Sequence, residues 1–227
     1  MRNVSKNYFQ KIFAILLLIL TSPLFLFVGL LILFLSGRPI IYKQYRYGEK
    51  FSKFIIFKFR TMKVSSTDSL ANYDDIRITK IGHFLRIFKL DELPQLINII
   101  KGEMYFVGPR PELIKIIDRK KELFDFLNNI KPGITDISSI IFKNESKIFK
   151  TIPLIHYETT ILPIKIKLVE IFMQKKNIFN DFLIIILTLT ALFNHTLAVK
   201  IIKKIFLSDL ELEFRIKLNH VLLKQIF

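Results

Sequence analysis

Asp91 and Glu92 stand side by side in the stretch KLDELPQL, with Pro94 just beyond and leucines at positions 90, 93 and 96. An ionised aspartate can attack phosphorus as a nucleophile, and a neighbouring carboxylate can hold Mg²⁺ or move a proton. The same pair also suits an ordinary helix start, where a carboxylate caps free N–H groups and complements the helix dipole. Pro94 favours that placement, because proline is well tolerated in a helix's first turn. On these residues alone, capping and catalysis both stay open.

Cations recur in short blocks around the pair. In FVGPRPE, Arg110 sits between Pro109 and Pro111, which stiffen the backbone and would hold a long cation ready for a diphosphate. A rigid surface turn has the same signature. Lys58 and Arg60 fall in FKFRTM, and Arg77, Lys80 and Arg86 in DDIRITKIGHFLR. Basic and aromatic residues interleave there as in nucleic-acid binders. No nucleic-acid module accompanies them, and the apolar N-terminus argues against that partner. His83, His156, His195 and His220 lack metal-type spacing. No phosphate-binding loop, dinucleotide fingerprint or serine-nucleophile elbow is present.

These groups must be positioned by a chain of 227 residues, enough for one domain and an appendage. It is 51% hydrophobic, has no cysteine and carries a formal charge of +16. The absence of cysteine excludes a disulfide framework and thiolate metal sites. The charge points to an anionic partner or lipid surface without choosing between them. An uncharged run from Ile12 to Ser36 is too long for a signal-peptide core and long enough, as a helix, to cross a bilayer. Ser22-Pro23 interrupts it at the centre, and basic residues flank both ends. Either a kinked span or a re-entrant helix fits.

Beyond Ser36–Pro39, FSKFIIFKF reads as a strand and KVSSTDSLANYDD as a surface loop. Helical patterns follow from Ile81, from DELP, over Glu112–Asn129 and after Ile161–Pro163. DFLIIILTLTALF is too short for a usual span and suits a core or interfacial helix. In the tail, Lys200, Lys203 and Lys204 share one face and Ala198, Ile201, Ile202 and Ile205 another. That suits either a helix lying on a membrane or a basic edge on a core-packed helix.

Taken in order, the Ser22-Pro23 run, GRPIIYKQYRYG, FKFRTM, DIRITKIGHFLR, LDELPQLINIIKGEMYFVGPRPE, KPGIT and YETTILPIKIKL strongly resemble the bacterial sugar transferases, the monotopic phosphoglycosyl transferases. The resemblance runs from about Lys6 to Leu192. It implies an α/β fold, mostly α with a small β element. A re-entrant membrane helix (1–37) would precede a cytosolic catalytic domain (38–195) with interfacial amphipathic helices, and an amphipathic extension (196–227) would follow. It implies transfer of a sugar 1-phosphate from a UDP-sugar to undecaprenyl phosphate, at the cytoplasmic face of a bacterial inner membrane. Asp91 would be the nucleophile and Glu92 its partner for Mg²⁺ or for the lipid phosphate.

The substrate cations implied are Lys58, Arg60, Arg77, Arg86, Arg110 and Lys143, with Asp181 ranked below the dyad. A homodimer stays open, and nothing names the sugar. The chain departs from many relatives after PGIT, where DISSIIFKNES replaces a segment with a usual arginine and Lys143 takes that place. It also lacks the lysine expected shortly after Asp181. An inactive relative serving as a membrane-bound scaffold is the alternative.

Overall fold

The computed structural model describes residues 2–63, 75–143, 157–208, 210 and 212–223. The surface-loop expectation for KVSSTDSLANYDD therefore lies, over residues 64–74, outside the described residues, as does His156. The fold is mostly helical with two small sheets.

Helices α1 (Arg2–Leu20) and α2 (Ser22–Ser36) carry the apolar run and meet at Thr21. Across that junction the helical axes of Asn7–Leu20 and Ser22–Ser36 bend by 62°. Pro23 has no N–H to give the carbonyl four residues back. The Ser22 hydroxyl donates to that carbonyl, on Ile19, at 2.7 Å, and Thr21 Oγ1 donates to Leu17 at 2.7 Å. The break is thus hydrogen-bonded by its own side chains. Among the described residues no single helix is long and apolar enough to cross a membrane, whereas this bent pair passes that test together.

One side of the pair grips the domain. Ala14 of α1 packs in a cluster with Leu96, Ile99 and Met104, while Val28 and Ile32 of α2 pack with Phe59 and Leu85. Gln10 accepts a hydrogen bond from the Phe106 amide at 2.9 Å. Leu16, Ile19, Leu20, Leu26, Phe27, Phe34 and Leu35 point outward and are exposed.

Strands β1 (Ile41–Tyr47) and β2 (Lys53–Phe59) form an antiparallel hairpin, with Ile41 opposite Phe59 and Tyr47 opposite Lys53. The strand expected in FSKFIIFKF is present. Helix α3 (Lys80–Ile87) begins at Thr79, whose hydroxyl accepts from the Gly82 amide. After a 3-10 turn over Leu90–Glu92 comes α4 (Gln95–Lys101), then β3 (Tyr105–Val107). Strand β3 pairs in parallel with β4 (Gly133–Thr135).

Between them, the single helix expected over Glu112–Asn129 is instead α5 (Ile114–Arg119) followed by a 3-10 segment, Lys121–Asn128. Lys120 leaves helical geometry at φ −134°, and the tighter winding brings Phe124 and Leu127 onto one buried side.

Helix α6 (Ile137–Ile141) starts on an Asp136–Ser139 capping box. A π-helical turn over Tyr157–Ile161 leads into α7 (Leu162–Gln174), followed by α8 (Ile178–Phe193), α9 (His195–Phe206) and α10 (Leu212–Leu223). The main core joins α5 through α10. Of the apolar tail face, Ala198 and Ile202 of α9 are buried in it beside Val199 and Phe206, and Ile201 packs against it, whereas Ile205 is exposed.

Candidate active site

The 3-10 turn puts Asp91 and Glu92 inside the molecule, at 8% and 6% exposure. Neither caps α4, whose first turn has no side-chain cap. A single oxygen of Glu92, Oε1, accepts from Lys58 Nζ at 3.3 Å and from Arg110 Nη2 at 2.5 Å. Its other oxygen, Oε2, is buried with no hydrogen-bond partner among the described residues. The site is therefore a carboxylate pair with two cations drawn to one member.

Each contributor is held by local backbone. Asn98 of α4 is fully buried, accepts from the Phe57 amide at 3.1 Å and donates to the Ile55 carbonyl at 2.6 Å. It bolts β2, and with it Lys58, to the helix that follows the dyad. Arg110 is fixed by two glycines in contact. The Gly108 amide donates to Thr135 and the Gly133 amide to Pro109, and a Cβ at Gly133 would fall 2.1 Å from Gly108 nitrogen. Arg86 reaches the site from α3, its Nε donating to Thr61 Oγ1 at 2.9 Å. A Cβ at Gly82 would meet the Thr61 carbonyl at 2.0 Å, so only glycine lets α3 lie that close.

With this geometry in view, the comparisons with known proteins decide the family. The bacterial sugar transferase model matches residues 1–195. The chain belongs to the bacterial sugar transferase family. Its matched region is 38% identical over 135 residues to the Escherichia coli UDP-glucose:undecaprenyl-phosphate glucose-1-phosphate transferase, covering 57% of this chain and 29% of that enzyme. The Bacillus subtilis sugar transferase EpsL is 38% identical over 143 residues, 62% of this chain and 70% of EpsL. The exopolysaccharide production protein ExoY of Sinorhizobium fredii is 38% identical over 164 residues, 63% of this chain and 71% of ExoY. The matched region thus spans under a third of the length of the Escherichia coli enzyme.

Electrostatics separate the two carboxylates. Burial, reinforced by the Glu92 charge, pushes Asp91 up to about 6, against the pull of Lys58, Arg86 and Arg110. Burial acts upward on Glu92 as well, but Arg110, Lys58 and Lys89 outweigh it and hold that carboxyl well below the usual range. Glu92 also raises Arg110 above its ordinary value. Two neighbouring acids in such different environments are equipped for different roles. Asp91 accepts no hydrogen bond among the described residues, which leaves its oxygens free to react.

Not every sequence candidate gathers here. Lys58, Arg86 and Arg110 do. Arg60 instead gives its guanidinium to the carbonyls of Ser36, Gly37 and Arg38, closing the end of α2. Arg77 forms an ion pair with Asp75 at 2.5 Å. Lys143 Nζ donates to the Ala191 carbonyl at 2.6 Å, near the C-terminus of α8. Asp181 lies in the first turn of α8, where a carboxylate complements the helix dipole.

Two further features carry little signal in the sequence. Lys89, two residues before the nucleophile candidate, interacts electrostatically with Glu92, Arg110, Asp91 and Asp136. Glu112 of the GPRPE block binds Lys165 Nζ at 2.6 Å and the Tyr157 hydroxyl at 3.1 Å, deep in the domain. A lysine among isoleucines in LPIKIKL was the available signal for the second.

Among the described residues no group of three or more histidines and carboxylates could cage a metal. Mg²⁺ does not require one, since it is commonly held by one or two carboxylates plus substrate phosphates. The unpartnered Oε2 of Glu92 and the adjacent Asp91 carboxylate suit that mode.

Proposed function

We propose that the protein is a phosphoglycosyl transferase, moving a sugar 1-phosphate from a UDP-sugar to undecaprenyl phosphate and releasing UMP. The buried Asp91–Glu92 pair, with Glu92 tied to Lys58 and Arg110, carries this reading. The names of the relatives support it, several of which act on undecaprenyl phosphate with a UDP-sugar. In the first step an Asp91 carboxylate oxygen bonds to the sugar-bearing phosphorus, and the phosphorus–oxygen bond to UMP breaks. UMP departs with that electron pair. In the second, a phosphate oxygen of the lipid bonds to the same phosphorus, and the Asp91 carboxylate leaves. Desolvation strengthens Asp91 as a nucleophile, while its pKa of about 6 still leaves it ionised at neutral pH.

Lys58, Arg86 and Arg110 stabilise charge on the phosphoryl oxygens. Glu92, whose Oε2 has no partner among the described residues, would hold Mg²⁺, which would supply positive charge against the diphosphate. The bent α1–α2 pair enters one leaflet and returns, keeping the catalytic domain at the cytoplasmic face of a bacterial inner membrane. This would be the first membrane step of a glycan pathway such as capsule, O-antigen, exopolysaccharide or glycoprotein assembly. The test is UMP release across a panel of UDP-sugars, with undecaprenyl phosphate and Mg²⁺. Release with one sugar, absent in Asp91→Asn, is expected; near-normal release by that variant would overturn the nucleophile assignment.

A further inference from the structure

Resting on the transferase reading, we propose that Lys89 is a substrate-binding residue of this site. Lys143 has its ammonium on the Ala191 carbonyl at 2.6 Å, so the end of α8 already claims it. Lys89 differs on each count. It lies on the turn that carries the dyad, and the Glu92 amide donates to its carbonyl at 3.2 Å. Its half-buried side chain has no hydrogen bond or ion pair within contact distance among the described residues. Three opposite charges act on it: Asp91 and Glu92 from its own turn, and Asp136 from the start of α6. Two like charges do so as well, Arg110 beside the dyad and Lys143 from beyond α6.

Its backbone reinforces the assignment. Lys89 is left-handed at φ 54°, an unfavourable geometry for a long side chain that glycine or asparagine adopts more readily. Such outliers persist where the surroundings over-determine them, and they cluster at active sites. A lysine kept in that geometry beside two carboxylates provides a movable ammonium for the diphosphate of a nucleotide sugar. On arrival, phosphate oxygens give Lys89 the hydrogen bonds it lacks.

The experiment compares Lys89→Asn, Lys89→Arg and wild type in two readouts: KM for the UDP-sugar by UMP release, and thermal stabilisation by UDP. Asparagine tolerates the left-handed backbone, so Lys89→Asn removes the charge without adding strain. KM should rise about tenfold or more in Lys89→Asn, the size of one charged hydrogen bond, with stabilisation by UDP reduced. Lys89→Arg should recover most of both. Unchanged KM and UDP response in Lys89→Asn, or equal losses in Lys89→Arg, would overturn the proposal while leaving the transferase reading intact. A Lys89-dependent UDP response without turnover by wild type would support this site and sink the transferase reading. If wild type neither turns over nor responds to UDP, both fall.

Discussion

Asp91 and Glu92 share a turn, yet their surroundings displace their pKa values in opposite directions. The folded protein binds the Asp91 proton more tightly than the unfolded chain does, since burial raises it from 3.8 to about 6. The stability linked to this group is therefore complete below pH about 4 and is lost as pH rises through about 6. Asp91→Asn, fixed in the neutral form, should raise Tm at pH 7.5 while abolishing turnover, and a thermal melt beside the UMP assay checks both. On the proposed mechanism the reacting form is the Asp91 carboxylate, so kcat/KM should fall as pH is lowered through about 6.

Glu92→Gln should behave in the opposite sense. It leaves Lys58 and Arg110 partly buried without their counter-charge, and breaking such a pair costs about 3–5 kcal/mol. Denaturant midpoints of the two variants should move apart.

At the level of elements, the site depends on contacts that tolerate no extra atom. A methyl group at Gly133 would collide with Gly108 backbone, which no rotamer change can relieve. Gly133→Ala should lower stability by about 3 kcal/mol or more in urea melts and displace Arg110 with it. The bend between α1 and α2 makes a separate prediction. In Pro23→Ala the Ile19 carbonyl regains a backbone donor, and the apolar helix should straighten toward a true span. Because the chain has no cysteine, single cysteines at the exposed Tyr8 and Tyr45 report the topology cleanly. Both should be labelled from one side of a vesicle in wild type and from opposite sides in Pro23→Ala; labelling of the variant from one side only would refute the straightening.

Across the whole molecule, exposed apolar side chains concentrate on α1, α2 and α8, where Phe179, Phe182, Leu189 and Phe193 lie outward. The chain is also strongly basic, at +16. Charge attraction to anionic lipid is screened within about 3 Å at 1 M salt, whereas apolar insertion is not. Flotation with anionic vesicles should therefore weaken at 1 M NaCl but persist. Complete release would assign attachment to charge alone.

How much of this was written in the chain differs from residue to residue. The Ser22-Pro23 break, the β2 strand and the block pattern of the family are local properties, set by a missing N–H, by side-chain alternation and by residue order. They could be read without coordinates. So could Asp91 and Glu92 as candidates, but their burial away from the start of α4 could not. Nor could the meeting of Glu92 with Lys58 from β2 and Arg110 from the loop after β3, contacts between segments far apart in sequence. Arg60, Arg77 and Lys143 looked equivalent to these in composition, and only tertiary contacts show their head groups engaged elsewhere. Lys89, a lysine beside a leucine-rich turn, carries no signal until its backbone geometry and neighbours are known. Sequence alone determined which side chains were available and how each segment would fold locally. Long-range packing decided which of them face one another, because charge and pKa depend on distance in space and on burial.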